Sequence, residues 1–298
     1  MNFEPVFASQ RFVLGEGPHF DRETGHLYWV DIVPGEAWRL DTGSGALRHW
    51  SFGTLISAVV PRASGGLMVA LKNELVFFDP ATGARTPFAA PEQHHQANRS
   101  NEARVDPTGR FWLGTMQNTT GPNGEDLPCT ANVGALYRVE ADGRFDEVVS
   151  EVGISNTLAW DEQRGRMYFG DSVSETIRVW DWDQANGSIA NPRMFAAPNA
   201  HGVPDGSALD AEGYLWNCRW GGSCILRYAP DGRIDRVVPV PVTNPTSCVF
   251  GGPDLRTLYV TSARSGLSPE QLAKNPLEGA LLSARADVAG QACTRLAA

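Results

Sequence analysis

The chain repeats one short pattern six times: a tight turn followed by an aromatic or apolar strand. The copies run from DRETGHLYWVD to GPDLRTLYVT and occupy residues 21–31, 61–70, 106–114, 161–171, 210–217 and 252–261. The turn glycines of the first five copies lie 41 to 56 residues apart, at Gly25, Gly66, Gly109, Gly165 and Gly213. Such a repeat favours one closed architecture, in which each unit packs against the next.

Each unit also has a second half with the features of a β-hairpin. Examples are LVFFDPATGARTPF (75–88), ALYRVEADGRFDEVV (135–149) and ILRYAPDGRIDRVV (225–238). Asp-Gly and Thr-Gly suit hairpin turns because glycine accepts positive φ. Two hairpins in about 40 to 50 residues make one propeller blade. The sequence therefore predicts an all-β fold, a single six-bladed β-propeller domain over residues 1–298 with four-stranded antiparallel blades around a central channel. We expect residues 4–14 to add the outer strand of the last blade.

Charge and hydropathy narrow the range of partners. The chain has 25 basic and 34 acidic residues and a net charge of -9, whereas nucleic acid or an anionic membrane requires a cationic surface. We therefore expect neither as a partner. The N-terminal residues lack the pattern of a secretion signal, and no segment is apolar for long enough to span a bilayer. Five cysteines without a CxxC spacing indicate neither a disulfide framework nor a zinc ribbon. We expect a cytoplasmic monomer.

Four side chains with metal-binding oxygens stand at nearly the same distance before a turn glycine. Glu16 and Asn156 lie nine residues before theirs, and Asn101 and Asp205 lie eight residues before theirs. The innermost strand of each propeller blade lines the channel, so equal offsets in different blades predict neighbours around one axis. The six residues at the starts of these strands include no histidine.

Two carboxylates and two carboxamides at one axis would leave buried charge uncompensated without a cation. A divalent metal ion is the simplest solution, and oxygen donors favour calcium, magnesium or manganese. The identity of the ion stays open, zinc and iron included. Any one of these residues alone would more often cap a strand end or bind channel water, but four at one offset favour a metal.

At these positions the chain resembles the SMP-30/gluconolactonase family, which includes regucalcin and bacterial sugar lactonases. The similar segments run in order along nearly the whole chain, among them LGEGPHF (14–20), RSNEARVDPTGRFWLGTM (99–116), ISNTLAW (154–160), PDG (204–206) and TSCVFGGPDLRTLYVTSARSGLSPEQL (246–272). The resemblance implies a six-bladed propeller with one divalent metal ion. Glu16, Asn156 and Asp205 match the residues that hold it.

The family's activity is the hydrolysis of sugar lactones to aldonic acids, so the resemblance implies a small pentono- or hexonolactone as the partner. Arg99 matches an arginine that contacts substrate oxygens, and Asn101 would bind beside the metal, directly, through water or through substrate. A metal on the lactone carbonyl would stabilise the oxyanion, with Asp205 as the candidate general base and Glu16 as its rival. Glu102 stands where the family usually has aspartate.

Two other functional classes stay open. One is a non-catalytic calcium-binding or scaffolding propeller, and the other is a promiscuous metal-dependent esterase or phosphotriesterase. A serine hydrolase is disfavoured because no GxSxG turn follows a strand. His201 near the channel mouth and the acidic pair Glu125 and Asp126 are weaker candidates for substrate contacts. The pair belongs to a long loop, residues 115–133, that we expect on one face as a lid over the site.

Overall fold

The computed structural model describes residues 1–121 and 124–298 as a ring of six four-stranded antiparallel sheets. The predicted six-bladed propeller is confirmed. The first strand of each blade contacts the first strands of the neighbouring blades, so these six strands surround the channel. Pro122 and Asn123 of the predicted lid lie outside the described residues.

The first three blades follow the chain from the channel outwards. Blade one consists of β2 (Gly15–Asp21), β3 (His26–Asp31), β4 (Glu36–Asp41) and β5 (Leu47–Ser51). Blade two consists of β6 (Ile56–Pro61), β7 (Leu67–Leu71), β8 (Leu75–Phe78) and β9 (Arg85–Ala89). Blade three consists of β10 (Asn98–Val105), β11 (Phe111–Gln117), β12 (Gly134–Val139) and β13 (Phe145–Val152).

The last three blades follow the same order, except that the outermost strand of blade six comes from the N-terminus. Blade four consists of β14 (Ser155–Asp161), β15 (Arg166–Asp171), β16 (Thr176–Trp182) and β17 (Ile189–Ala196), with a 3-10 turn at Glu162–Arg164. Blade five consists of β18 (Val203–Leu209), β19 (Leu215–Trp220), β20 (Cys224–Tyr228) and β21 (Ile234–Pro239). Blade six consists of β22 (Pro245–Gly251), β23 (Thr257–Ser262), β24 (Leu282–Arg285) and, from the N-terminus, β1 (Glu4–Pro5).

The N-terminal segment closes the ring, as the sequence predicts. Glu4 pairs with Ser283 and Pro5 with Leu282, and beyond this short strand the Phe12 amide donates to the carbonyl of Gly279 at 2.7 Å. The chain also has one short surface helix among the described residues, α1 (Pro269–Lys274), capped by the Ser268 side chain. Closure of this kind removes the exposed sheet edges that an open array would leave.

Tryptophans on the second strands of alternate blades fill the space between sheets. Trp29, Trp112 and Trp216 are fully buried. The indole N–H of Trp112 donates to Asp106 at 3.0 Å, and that of Trp216 donates to Asp210 at 2.9 Å. Asp106 and Asp210 are also the first residues of the repeated turns. Each aspartate therefore stabilises its turn and also accepts the hydrogen bond of a buried indole.

All six inner strands are irregular at the same level. Pairing with the second strand shifts register between Glu16 and His19, Ile56 and Ala58, Ser100 and Ala103, Asn156 and Leu158, Pro204 and Ser207, and Pro245 and Ser247. A β-bulge re-aims the side chains beside it. The predicted ligands lie in or beside these irregularities, where side chains can turn towards the axis.

The C-terminal segment crosses the other end of the channel. Amides of Gln291, Leu296 and Ala297 donate to carbonyls of Leu209, Pro61 and Gly109, in blades five and two and in the turn after β10. Arg295 binds Asp21 of blade one at 2.7 Å. A cavity of about 90 Å³ lies along the inner strands between this segment and the predicted ligands. No helix among the described residues is long and apolar enough to cross a membrane.

Candidate metal and substrate site

A cavity of about 270 Å³ lies where the inner strands begin. It brings together all the predicted site residues, namely Glu16, Arg99, Asn101, Asn156 and Asp205. The rest of its wall is largely apolar, contributed by Leu14, Ile32, Met116, Ile154, Val173, Val203 and Trp220, with Thr119, Asp126, Ser172 and Ser265 as further polar residues. A largely apolar cavity with a few converging polar groups is the usual form of a small-molecule site.

Glu16 and Asp205 face this cavity from blades one and five. Each carboxylate accepts a hydrogen bond from the amide of the next residue, from Gly17 at 2.9 Å and from Gly206 at 3.1 Å. Burial, followed by the charge of Glu102, raises the pKa of Glu16 to about 8. Burial, followed by the charge of Glu16, raises the pKa of Asp205 well above its usual range. The pair is thus a site where a nearby positive charge would be strongly favoured.

Asn156 of blade four presents its carboxamide in a fixed orientation. Its Nδ2 donates to Ser172 Oγ at 2.8 Å, and that hydroxyl donates to the carbonyl oxygen of Pro204 at 2.6 Å. Because the carbonyl of Pro204 can only accept, Ser172 must accept from Asn156. The amide nitrogen is therefore turned towards Ser172, and the carboxamide oxygen remains as a possible ligand.

Arg99 and Asn101 form a second polar group on the blade-three side. Arg99 Nη1 donates to Asn101 Oδ1 at 2.6 Å and to the carbonyl of Ser100 at 2.9 Å, while Asn101 Nδ2 donates to the carbonyl of Ser155 at 2.8 Å. Both ends of the Asn101 carboxamide are therefore engaged. Arg99 is only 4 % exposed, and burial lowers the pKa of its guanidinium to about 10. It stays charged at neutral pH.

Glu102 points to a different partner. Its carboxylate lies 3.4 Å from the guanidinium of Arg104, whose Nη2 donates to Ser247 Oγ at 3.3 Å. Burial raises the pKa of Glu102, and Arg104 opposes that rise. The buried Glu102 carboxylate thus pairs with a half-buried arginine two residues further along the same strand.

The chemistry of the donors fits a hard divalent cation. Among the described residues, no three His, Cys, Asp and Glu side chains form a group that can hold a metal ion, so any site here needs amide oxygen as well. Two carboxylates and the fixed oxygen of Asn156 are ligands of the kind that calcium and related ions take. They would leave coordination positions for water or substrate.

The weaker candidates divide into two groups. Asp126 lines the cavity, whereas His201 does not; its carbonyl accepts from Arg219 at 3.3 Å instead. Sequence reasoning missed Ser172, Ser265 and Trp220, which lie in or beside loops at the cavity end. No signal on the inner strands pointed to them, although Ser172 directly follows the repeated turn-strand unit at 161–171.

The chain matches known proteins over nearly its full length. Residues 14–264 match the family model described as the SMP-30/Gluconolactonase/LRE-like region. The 6-deoxy-6-sulfogluconolactonase of Pseudomonas putida is 34 % identical, covering 94 % of each chain. The L-arabinolactonase of Azospirillum brasilense is also 34 % identical, covering 98 % of this chain and 95 % of its own. The crystal structure of a calcium-binding protein, regucalcin from Agrobacterium tumefaciens, superposes with a TM-score of 0.91 at 29 % identity, covering 98 % and 96 %.

Proposed function

The chain belongs to the SMP-30/gluconolactonase/LRE-like family, and from that premise we propose that it hydrolyses a sugar lactone to the aldonic acid. The observation that carries the proposal is the meeting of Glu16, Asn156, Asp205 and Arg99 on one cavity. Curated relatives named as lactonases support the reaction class. We take the substrate to be a neutral pentono- or hexonolactone.

We assign Glu16, Asn156 and Asp205 as the residues that hold one divalent cation. The similarity to a calcium-binding regucalcin favours calcium. A bound cation would act as a Lewis acid, polarising the lactone carbonyl and stabilising the negative charge that develops on its oxygen. It would also favour the ionised forms of Glu16 and Asp205, whose pKa values are raised without it.

Asp205 is the proposed general base. Its Oδ1 is held by the Gly206 amide, and Oδ2 takes a proton as water oxygen bonds to the carbonyl carbon. The bond from that carbon to the ring oxygen then breaks, and Asp205 returns the proton to the ring oxygen. The products are a free hydroxyl and a carboxylic acid, so each atom of water and lactone is accounted for.

Arg99 is the proposed orienting residue. It is fixed by Asn101 and Ser100, so its remaining N–H groups offer donors to substrate oxygens at little entropic cost. The apolar wall of the cavity limits competing water around the ring.

A second candidate is calcium binding without catalysis, which the similarity to a protein described as calcium-binding favours. A purely structural calcium site would not need a buried arginine beside it. The two candidates differ in one observable, metal-dependent turnover.

The test is proton release from a panel of pentono- and hexonolactones, followed with a pH indicator. Metal-stripped protein is assayed alone and with calcium, magnesium, manganese or zinc restored. We expect ring opening above the spontaneous rate only with metal. Glu16→Gln and Asp205→Ala should abolish turnover without unfolding the protein, and Arg99→Ala should mainly weaken substrate use. Absence of metal-dependent turnover on every lactone would leave the calcium-binding candidate.

A further inference from the structure

Asp126 is fixed across the mouth of the cavity. It lies in the long connection between β11 and β12 of blade three, where it forms an isolated bridge with Thr120. Its Oδ1 accepts a hydrogen bond from Ser265 Oγ at 2.7 Å, and Ser265 follows the second strand of blade six. Blades three and six are opposite in a ring of six, so this contact spans the opening.

The backbone of blade six lies close to that carboxylate. A β-carbon on Gly266, which has φ +76°, would come within 3.3 Å of Asp126 Oδ2 and 3.6 Å of the Trp220 ring. Glycine therefore lets the backbone of blade six approach both side chains. Ser265 is buried, and Trp220 forms part of the cavity wall. Asp126 is itself an exposed loop residue, and the hydrogen bond from Ser265 Oγ fixes its carboxylate at the edge of the cavity.

Arg99 supplies a complementary donor in the same cavity. Its buried Nε has no hydrogen-bond partner within residues 1–121 and 124–298. The negative charges of Glu16, Asp126 and Asp205 all act on this guanidinium. Glu16 and Asp205 are assigned to the cation, so Asp126 is the carboxylate left for another task. Arg99 lines the same cavity as Asp126, so its guanidinium is placed to donate to an oxygen of a bound ring.

We propose that Asp126 is a specificity-determining residue that accepts a hydrogen bond from a substrate hydroxyl, with Ser265 as its positioning residue. This inference rests on the proposed lactonase function and extends it. The Arg99 guanidinium donates to an oxygen of the same substrate. Carboxylate and guanidinium together recognise a polyhydroxylated ring, since each sugar hydroxyl both donates and accepts.

The arrangement selects against lactones without hydroxyls. Such a ring would still reach the proposed catalytic residues, but it would displace water from Asp126 and Arg99 without replacing the lost hydrogen bonds. Sites built around a substrate hydroxyl discriminate strongly for this reason. Neutral substrates are also favoured, because an anionic group near Asp126 would meet like charge.

The experiment compares two lactones and two non-hydrolysable ligands on calcium-loaded protein. The lactones are a pentono-1,4-lactone and γ-butyrolactone, and the ligands are a pentitol and 1,5-pentanediol, with binding followed by calorimetry. We expect Asp126→Ala to lower kcat/KM for the pentonolactone on the order of 10- to 100-fold and to weaken the pentitol similarly. Turnover of γ-butyrolactone should change less than about 2-fold, and Ser265→Ala should give a smaller loss of the same kind.

Asp142→Ala is the matched control, because it removes an equal charge from an exposed hairpin of the same blade. It should leave all four measurements unchanged. Equal losses for both lactones in Asp126→Ala, no loss for either, or no binding of the pentitol to the parent protein would each overturn the assignment. Pentitol binding that depends on Asp126 without turnover of any lactone would instead refute the proposed reaction and retain this residue's role.

Discussion

At the scale of single residues, the orientation of one carboxamide determines what the site can bind. Asn156 is 5 % exposed and its nitrogen is bound to Ser172. If that hydrogen bond were lost, either end of the amide could face the cavity, and only one of them can ligate a cation. A residue that never touches the metal would thus control the affinity for it.

We therefore predict that Ser172→Ala weakens calcium binding on the order of 10- to 100-fold. Calorimetric titration of metal-stripped protein measures the change directly. Ser174→Ala is the control, since Ser174 is exposed in the same turn and its hydroxyl bonds to Thr176. Equal affinity in the two variants would show that Ser172 does not orient Asn156.

His19 gives a second prediction, on acid stability. It is buried, its Nε2 has no partner among the described residues, and burial lowers its pKa to about 3. The unfolded chain should bind a proton there near pH 6.5. Between those values the unfolded state carries more protons, so stability falls as the pH falls.

His19 should make the free energy of unfolding fall by up to about 1.4 kcal/mol for each pH unit between pH 6 and pH 4. Urea unfolding across that range should show a shallower slope for His19→Gln than for the parent. The exposed His94 supplies the control, His94→Gln, which should retain the parent slope. Identical slopes in all three proteins would contradict a neutral buried His19.

At the scale of elements, the irregularities in the inner strands place the proposed ligands. Glu16 precedes Gly17, which has φ +55° and whose added β-carbon would lie 3.0 Å from the carbonyl oxygen of Ser57 in blade two. The strand can bend here only because residue 17 lacks a side chain. The bend therefore depends on the neighbouring blade as well as on its own strand.

Gly17→Ala should lower both the free energy of unfolding and the calcium affinity, because relief of the clash must move Glu16 or blade two. Gly45→Ala is the matched comparison, with φ +76° in an exposed hairpin and nothing within 4 Å of the added carbon. It should cost about 1 to 2 kcal/mol of stability through backbone strain alone. Calcium affinity equal to that of the parent protein in both variants would show that the bend at Gly17 does not position the proposed metal ligand.

The sequence pattern predicted the inner strands well, but it predicted side-chain contacts within and between blades poorly. Counting back from the turns located Glu16, Asn156 and Asp205 on one level, because every blade begins with the same strand. It did not identify Ser172 or Ser265, because their place in the cavity depends on how loops from different blades meet. Nor did it show that Glu102 pairs with Arg104, since that contact depends on which way a buried side chain runs along the channel.

At the scale of the whole molecule, the two chain ends hold the ring together in different ways. The N-terminal strand contributes two residues to blade six. The C-terminal segment binds blades one, two and five, and Leu296 within it is 2 % exposed. The repeat predicted that the N-terminal strand joins blade six. It did not predict the contacts of the C-terminal segment, because that segment is irregular and resembles no blade strand.

Leu296→Ala should cost about 2 to 5 kcal/mol of unfolding free energy through the cavity it leaves. The proposed lactone turnover of the folded protein should be retained, because the tail lies beyond the small cavity and far along the channel from Asp205. Urea unfolding and lactone turnover measure the two properties separately. Leu47→Ala, at a partly exposed outer strand, should be nearly neutral, and an equally small effect at Leu296 would refute a supporting role for the tail.

The irregularities of the inner strands also bear on how such a ring changes over evolution. Only blades one, four and five use theirs to offer a proposed metal ligand, while blades two, three and six place Ser57, Asn101 and Thr246 within theirs. The backbone that aims a side chain at the axis is thus present six times over. A carboxylate introduced at Ser57 would therefore start from a backbone that is already bent, so we expect the donor set of the ring to change without a change of fold.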